Sequence, residues 1–180
     1  MIRRAVIVIV AAFVATQAVH AQQSAAADPA DVGSPEAVVK ALYATVNRAP
    51  GARYDWPRLR TLLMPSARMI PNSEQTGGAL RILTVDEFVA WIDANTVVGG
   101  ANDLGFQEEE IATRIERFGD IAHAFSTYQK HFYGSSQILG RGINSIQMHF
   151  HDGRWWITQL VWDEENGAGA IPRRYLPQDR

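Results

Sequence analysis

The spacing of apolar residues changes once along this chain, at Gly105, and that change limits the folds open to it. Before Gly105 the period is helical. From Ser34 to about Asn47, the residues Val38, Val39, Leu42, Tyr43 and Val46 recur three or four apart, which predicts an amphipathic helix. Ser34-Pro35-Glu36 supplies its cap, a proline at the first helical position and an early acid. Asp55-Trp56-Pro57 opens a second, shorter helix that carries Trp56, Leu59 and Leu63 and is limited by Pro65. Stretches 68–70 and 79–83 read as a small hairpin. Thr84-Val85-Asp86-Glu87 is a capping box, and the third helix turns Val85, Phe88, Val89, Trp91 and Ile92 toward a core before ending near Asn95. After Gly105 the period is two. Extended runs follow over about 106–117, 121–131, 142–151 and 154–163, and Gly119-Asp120 and Asp152-Gly153 are hairpin turns. Helices followed by an antiparallel meander make an α+β fold, with the helices packed on one side of one sheet.

Tight turns also assign faces, because residues paired across a hairpin share a side of the sheet. With Phe118 opposite Ile121, Ile111 and Ile115 share a face with Ala122, Ala124, Ser126 and Tyr128. With His151 opposite Arg154, Ile146, Met148 and Phe150 share a face with Trp155, Ile157, Gln159, Val161 and Asp163. Joined, these sets give the face that meets the helices, although the connection across 131–142 leaves the register of the join open. The other face then holds Arg114, Glu116, His123, Phe125, Thr127, Gln147, His149, Trp156, Leu160 and Trp162, a mixture that suits solvent or a second subunit. The helix-facing side is apolar near the tight turns and polar at the far end, where Tyr128, Lys130, Asn144, Gln159 and Asp163 lie. Polar groups on a covered face must find partners or line a wet cavity, so a pocket with a polar mouth is expected.

Residues 1–21 stand apart. Arg3 and Arg4 precede an apolar run over 5–14, and Val19-His20-Ala21 has the small-x-small spacing of a cleavage site, the pattern of a secretory signal peptide. The run is about half the roughly 20 residues that span a bilayer, so no stable membrane anchor is expected after cleavage. Residues 22–33 read as a flexible linker, and 34–177 as the folded domain. Loss of the signal leaves 15 basic against 19 acidic residues, an acidic periplasmic or secreted protein. No cysteine is present, which excludes disulfides, thiolate metal sites and cysteine nucleophiles. The acidic balance argues against nucleic acid as a partner.

Three stretches carry a resemblance: Arg117-Phe118-Gly119-Asp120-Ile121-Ala122, Gly153-Arg154-Trp155-Trp156-Ile157 and Leu160-Val161-Trp162-Asp163. With the order of elements, they make the chain from about Ser34 to Asp163 similar to the nuclear-transport-factor-2-like superfamily, also called SnoaL-like or ketosteroid-isomerase-like. The resemblance implies a cone with a central pocket between helices and sheet, and often a homodimer formed through the outer sheet face. Its members include isomerases, dehydratases, polyketide cyclases and non-enzymatic binding proteins, so fold alone does not assign chemistry. The isomerase pattern places a tyrosine on the first helix, where Tyr43 stands one residue out of step. It places an acidic base on the strand after the second helix, where 67–72 reads Ala-Arg-Met-Ile-Pro-Asn with no carboxylate. Asn144 is nearest to its oxyanion donor.

Asp163, set beside Asn144 by the expected register, is then the candidate acid or base, with Tyr43 or Asn144 as hydrogen-bond donor. Its alternative is a strand-end carboxylate paired with Arg141, Arg173 or Arg174. Glu108-Glu109-Glu110 reads as a solvated edge. His123, His149 and His151 fall on one side of the sheet with Glu116 nearby, but their spacing matches no zinc motif, and no metal or other cofactor is expected. The expected lining is Tyr43, Trp91, Tyr128, Asn144, Gln159 and Asp163, around a small and largely apolar ligand. Two alternatives stay open: a cofactor-free lyase or isomerase acting on a small hydrophobic substrate, and a homodimeric interaction module using Phe125, Trp156 and Trp162.

Overall fold

A computed structural model describes residues 26–178; the expected signal peptide and the start of the linker lie outside them. Four helical segments precede the main sheet strands: α1 (Pro29–Val32), α2 (Pro35–Val46), α3 (Trp56–Leu62) and, after strand β1 (Leu63–Ile70), α4 (Val85–Ala94). Strands β2 (Gln107–Phe118), β3 (Ile121–His131), β4 (Ile138–His151) and β5 (Arg154–Glu164) follow, and a short α5 (Glu165–Ala168) opens the C-terminal segment. The predicted caps form. Ser34 accepts from the Ala37 N–H, and both halves of the Thr84–Glu87 capping box are made.

Regular structure begins before Ser34. Asp28 caps α1, Pro29 takes a first-turn position and Val32 is buried. Asp31 forms a bidentate ion pair with Arg58 at 2.7 and 2.8 Å, so the end of the expected linker is pinned to α3. Helix α3 stops at Leu62, before Pro65, because Leu63 onward joins the sheet. The sheet order is β1-β5-β4-β3-β2, with β1 parallel to β5 and the remaining pairs antiparallel. The sheet is therefore mixed, and stretch 68–70 belongs to its edge strand rather than to a separate hairpin. A single bridge, Met69 to Leu83, survives from that hairpin. Pro65 fits there because an edge strand tolerates a missing N–H.

Most of the face assignment holds. Ala122, Ala124, Ile146, Met148, Trp155 and Ile157 share one buried face with Val38, Val39 and Leu42 of α2 and Leu59 and Leu62 of α3. Across the open connection, Ser126 pairs with Asn144 and Tyr128 with Gly142, as the joined sets require. Two bulges alter the rest. In β5, Met148 pairs with Ile157 but Gln147 pairs with Gln159, which leaves Thr158 as the extra residue. A bulge puts two residues opposite one and inverts the alternation beyond it. Leu160, Trp162 and Glu164 thus face the helices, while Val161 and Asp163 face outward. In β2, Glu110 pairs with Tyr128 but Ala112 pairs with Thr127, leaving Ile111 extra. Glu108 and Glu110 consequently share the side of Tyr128 and Lys130.

The outer face is also not the free surface expected of it. Trp162 has turned inward. Phe125 lies under Tyr175, ring centroids 4.7 Å apart, and Thr127 donates to the Tyr175 carbonyl at 2.6 Å. Trp156 is overlaid by the Arg154 guanidinium, 3.6 Å from its ring centroid. His123 hydrogen-bonds Ser145 at 2.9 Å and stands opposite Gln147, and the described residues hold no cluster able to bind a metal.

Candidate functional site

A cavity of about 400 Å³ opens between α4, the end of α2 and the far end of the sheet. One wall is aromatic: Tyr54, Trp56, Phe88, Trp91, Phe106 and Trp162 line it. The rings touch in series, Tyr54 to Trp56 at 4.7 Å, Trp56 to Phe88 at 6.1 Å, and Phe88 to Trp91 and Trp162 at 6.4 and 5.9 Å. Two indoles are fixed through their N–H groups. Trp56 donates to Asp93 at 2.9 Å and Trp162 to Gln75 at 3.0 Å.

The charged lining groups belong to the sheet, where Trp162 lies directly across from Asn144. Glu164 accepts from Lys130 at 2.6 and 2.5 Å, from Gln75 at 3.1 Å and from Tyr128 at 3.3 Å. Gly142 makes the last contact possible, since a Cβ there would lie 2.5 Å from the Tyr128 hydroxyl. Glu108 accepts from Asn144 Nδ2 at 3.2 Å. Asn144 also donates to the Tyr43 hydroxyl at 3.3 Å, which shares a 2.7 Å hydrogen bond with Ser126. Ser126 in turn contacts Thr113 at 2.7 Å. Burial pushes the Glu108 carboxyl up to about 7, against the opposing effects of Asn144 and Lys130. Burial likewise raises the phenols of Tyr43 and Tyr128, helped by nearby carboxylates, so both stay neutral donors across the physiological range.

Of the expected lining, Trp91, Tyr128 and Asn144 reach the cavity. Tyr43 is buried one layer behind it, holding Asn144 in place. Gln159 and Asp163 do not line it. The Thr158 bulge leaves Asp163 exposed on the outer face, where its carboxylate accepts from the Glu164 N–H at 2.8 Å. Asp163 and Asn144 are therefore not companions in one site, and the base expected at 163 has no place in the cone. Nor does Asp163 pair with Arg141, which binds Glu165 at 2.9 Å instead. The lining residues missed include Glu108, Glu164 and the rings Tyr54, Trp56, Phe88, Phe106 and Trp162. The alternation from Ile115 was the available signal for Glu108, but it gives the wrong face unless Ile111 is counted as an extra residue.

The rim at Asn95, Thr96 and Phe106 depends on a buried ion pair. Arg48 holds Asp103 at 2.8 and 3.1 Å, and Asp103 also accepts from the N–H groups of Gly99, Gly51 and Gly105. Arg48 and these N–H groups keep the Asp103 carboxyl well below the usual carboxylate range. Phe106 exchanges two 2.9 Å backbone hydrogen bonds with Arg48, which fixes its position at the mouth.

Solved structures share the fold. A protein of unknown function with a cystatin-like fold from Nostoc punctiforme matches with a TM-score of 0.54 and 10% identity, over 71% of this chain and 85% of its own. A protein of unknown function from Mycobacterium tuberculosis matches with a TM-score of 0.53 and 16% identity, over 72% and 68%. An NTF-2-like protein of unknown function from Silicibacter pomeroyi matches with a TM-score of 0.47 and 19% identity, over 72% and 91%, and further matches carry the same NTF2-like description. No family model and no curated protein matches the sequence. At these identities the likeness is one of fold.

Proposed function

We propose that this chain, whose helices and five-stranded sheet resemble the nuclear-transport-factor-2-like, or SnoaL-like, fold, is an exported protein that binds a small, largely apolar molecule in its cone. The observation that carries this reading is the cavity itself. Its volume falls in the range of small-molecule sites, and it sets an aromatic wall against a few placed polar groups. A core built only for stability would fill such a space, since empty volume next to buried side chains costs packing energy. The ring wall supplies apolar contact, while Asn144 and Glu108 provide the polar groups that orient a guest.

The neutral fluorophore N-phenyl-1-naphthylamine tests the reading. Its emission should rise on binding wild type, and Leu160→Trp, which fills the cavity floor, should abolish the rise while keeping a native circular dichroism spectrum. Equal binding to both proteins would place the fluorophore elsewhere and defeat the assignment. Export has its own test. N-terminal sequencing of protein recovered from periplasm or medium should begin at Gln22, and an intact Met1 start in the cytoplasm would count against it.

A second reading, a cofactor-free lyase or isomerase, now rests on Glu108. A carboxyl near 7 beside an amide donor suits proton transfer at neutral pH. Under this reading Glu108→Gln abolishes turnover and Asp163→Asn leaves it unchanged.

A further inference from the structure

We propose that the cone selects a positively charged guest, an organic ammonium with an apolar body, held between the aromatic wall and Glu108. The proposal deepens the binding reading above and rests on it. Three observations lead to it.

First, Glu108 is short of partners. A carboxylate has about four acceptor sites, yet among the described residues the side chain of Glu108 accepts one hydrogen bond, from Asn144. Glu164, on the same wall, accepts from Lys130, Gln75 and Tyr128. A carboxylate so poorly satisfied at the edge of an apolar cavity is matched by a guest that brings a cation.

Second, the cation already in the cavity is committed. Lys130 contacts both Glu164 oxygens, so the pair contributes no net positive charge to a guest. An anionic guest would meet Glu108 and Glu164 with no uncommitted positive partner on that wall. A cationic guest meets one carboxylate in excess.

Third, rings make up more of the apolar lining than the aliphatic chains of Leu42, Val46, Ile92 and Leu160. Tyr54, Trp56, Phe88, Trp91, Phe106 and Trp162 line the cavity, and the Trp56 and Trp162 indoles are locked by hydrogen bonds. Aromatic faces attract cations, more strongly when water is excluded. Aliphatic residues would give a neutral guest the same burial without that attraction.

The geometry also predicts a pH dependence. The Glu108 carboxyl faces Tyr43 from α2, Tyr128 and Lys130 from β3, Asn144 from β4 and Glu164 from β5, with Glu110 on its own strand. The two phenols remain protonated, and Lys130 and Glu164 are joined to each other. Ionisation of Glu108 is then the event that turns on attraction for a cation, so affinity rises as pH rises through about 7.

The test compares phenyltrimethylammonium with tert-butylbenzene, its neutral isostere, as competitors of N-phenyl-1-naphthylamine. The ammonium cannot lose a proton, so any pH effect belongs to the protein. At pH 8 it should compete about tenfold more strongly than the isostere. That preference should shrink at pH 6 and be largely lost in Glu108→Gln. Trp91→Leu, which removes a ring and leaves the carboxyl in place, should weaken the ammonium more than the isostere and keep the proposal testable if Glu108→Gln fails to fold. Equal or stronger competition by tert-butylbenzene overturns the cationic assignment while leaving an apolar site intact. An ammonium preference that persists undiminished in Glu108→Gln also overturns it. Failure of the naphthylamine itself to bind wild type overturns the parent reading instead.

Discussion

Glu108 shows how one residue's position governs both stability and recognition. Its carboxyl is raised by burial, so the folded chain holds this proton more tightly than the unfolded chain, whose glutamate titrates near 4.3. Between about pH 4.5 and 7 the unfolded state releases the proton and the folded state keeps it. Stability contributed by this group is therefore full below the unfolded value and is lost as pH rises through 7, by an amount on the order of 2 kcal/mol. Glu108→Gln removes that slope. Its melting temperature relative to wild type should climb by roughly 5 °C between pH 5 and pH 8, and parallel pH profiles would show that the carboxyl is not buried as described. Tyr43 gives the complementary case. Tyr43→Phe deletes the hydroxyl shared with Ser126 and Asn144, each of which keeps one other partner, Thr113 and Glu108 respectively. The cost in chemical denaturation should be about 1–2 kcal/mol, with affinity for the naphthylamine changed less than about twofold, because the phenol lies behind the lining. A loss of binding without a loss of stability would return Tyr43 to the cavity wall.

At the level of elements, what could be read in the chain divides along a physical line. Caps and tight turns are local chemistry, and Ser34, the Thr84–Glu87 box and the two hairpin turns all appear where short spacings predict them. Asp152 and Gly153 both take positive φ, at 51° and 76°, which an aspartate-glycine pair tolerates. The parallel pairing of β1 is a contact between segments about ninety residues apart in sequence, and no local pattern announces it. Bulges are equally silent, since an extra residue satisfies no motif and is visible only against a partner strand. Ile111 and Thr158 account for most of the misplacement: one concealed Glu108, and the other exchanged Asp163 for Glu164 and turned Leu160 and Trp162 inward. Trp91, Tyr128 and Asn144 were legible because they lie on helix α4 or on the unbulged stretch between β3 and β4. Thr158 can be tested directly. Deleting it removes the extra residue, so that strict alternation carries Leu160, Trp162 and Glu164 to the same inner face they occupy now and both walls of the cavity survive. The shortened chain should therefore keep a cooperative melt and bind the naphthylamine, and loss of either would show that the bulge itself shapes the cavity. Thr158→Ala keeps the residue count and loses one 3.2 Å hydrogen bond to the Gln147 carbonyl, so it should cost about 1 kcal/mol or less.

For the whole molecule, the C-terminal segment covers part of the surface that the expected homodimer would use. Phe125, Ile143 and Val161 form one apolar part of the outer sheet face, against which the segment after β5 lays Ile171, Pro172 and Tyr175; Phe118 and Ile121 form a second, exposed part beside the β2–β3 turn. Glu165 fastens the start of that segment, binding Arg141 and accepting from the Ile171 N–H at 3.1 Å. Further along, Arg114 and Arg174 both approach the Tyr175 ring, at 5.9 and 4.7 Å from its centroid, and Thr127 holds the Tyr175 carbonyl. A homodimer through the covered part would have to displace these contacts, whereas Phe118 and Ile121 stay exposed among the polar Glu116, Gln147 and His149. Cutting the chain after Ala170 leaves the Glu165–Arg141 anchor and removes the cover from Phe125 and Thr127. An exposed apolar patch of this kind favours association, so light scattering should show a larger dimer fraction for the shortened chain than for the full one at equal concentration. Phe125→Glu in the shortened chain should reverse the gain by placing a charge at the centre of the uncovered patch. A full chain that is already wholly dimeric and unaffected by the cut would mean that the dimer uses another surface and that the C-terminal segment guards nothing.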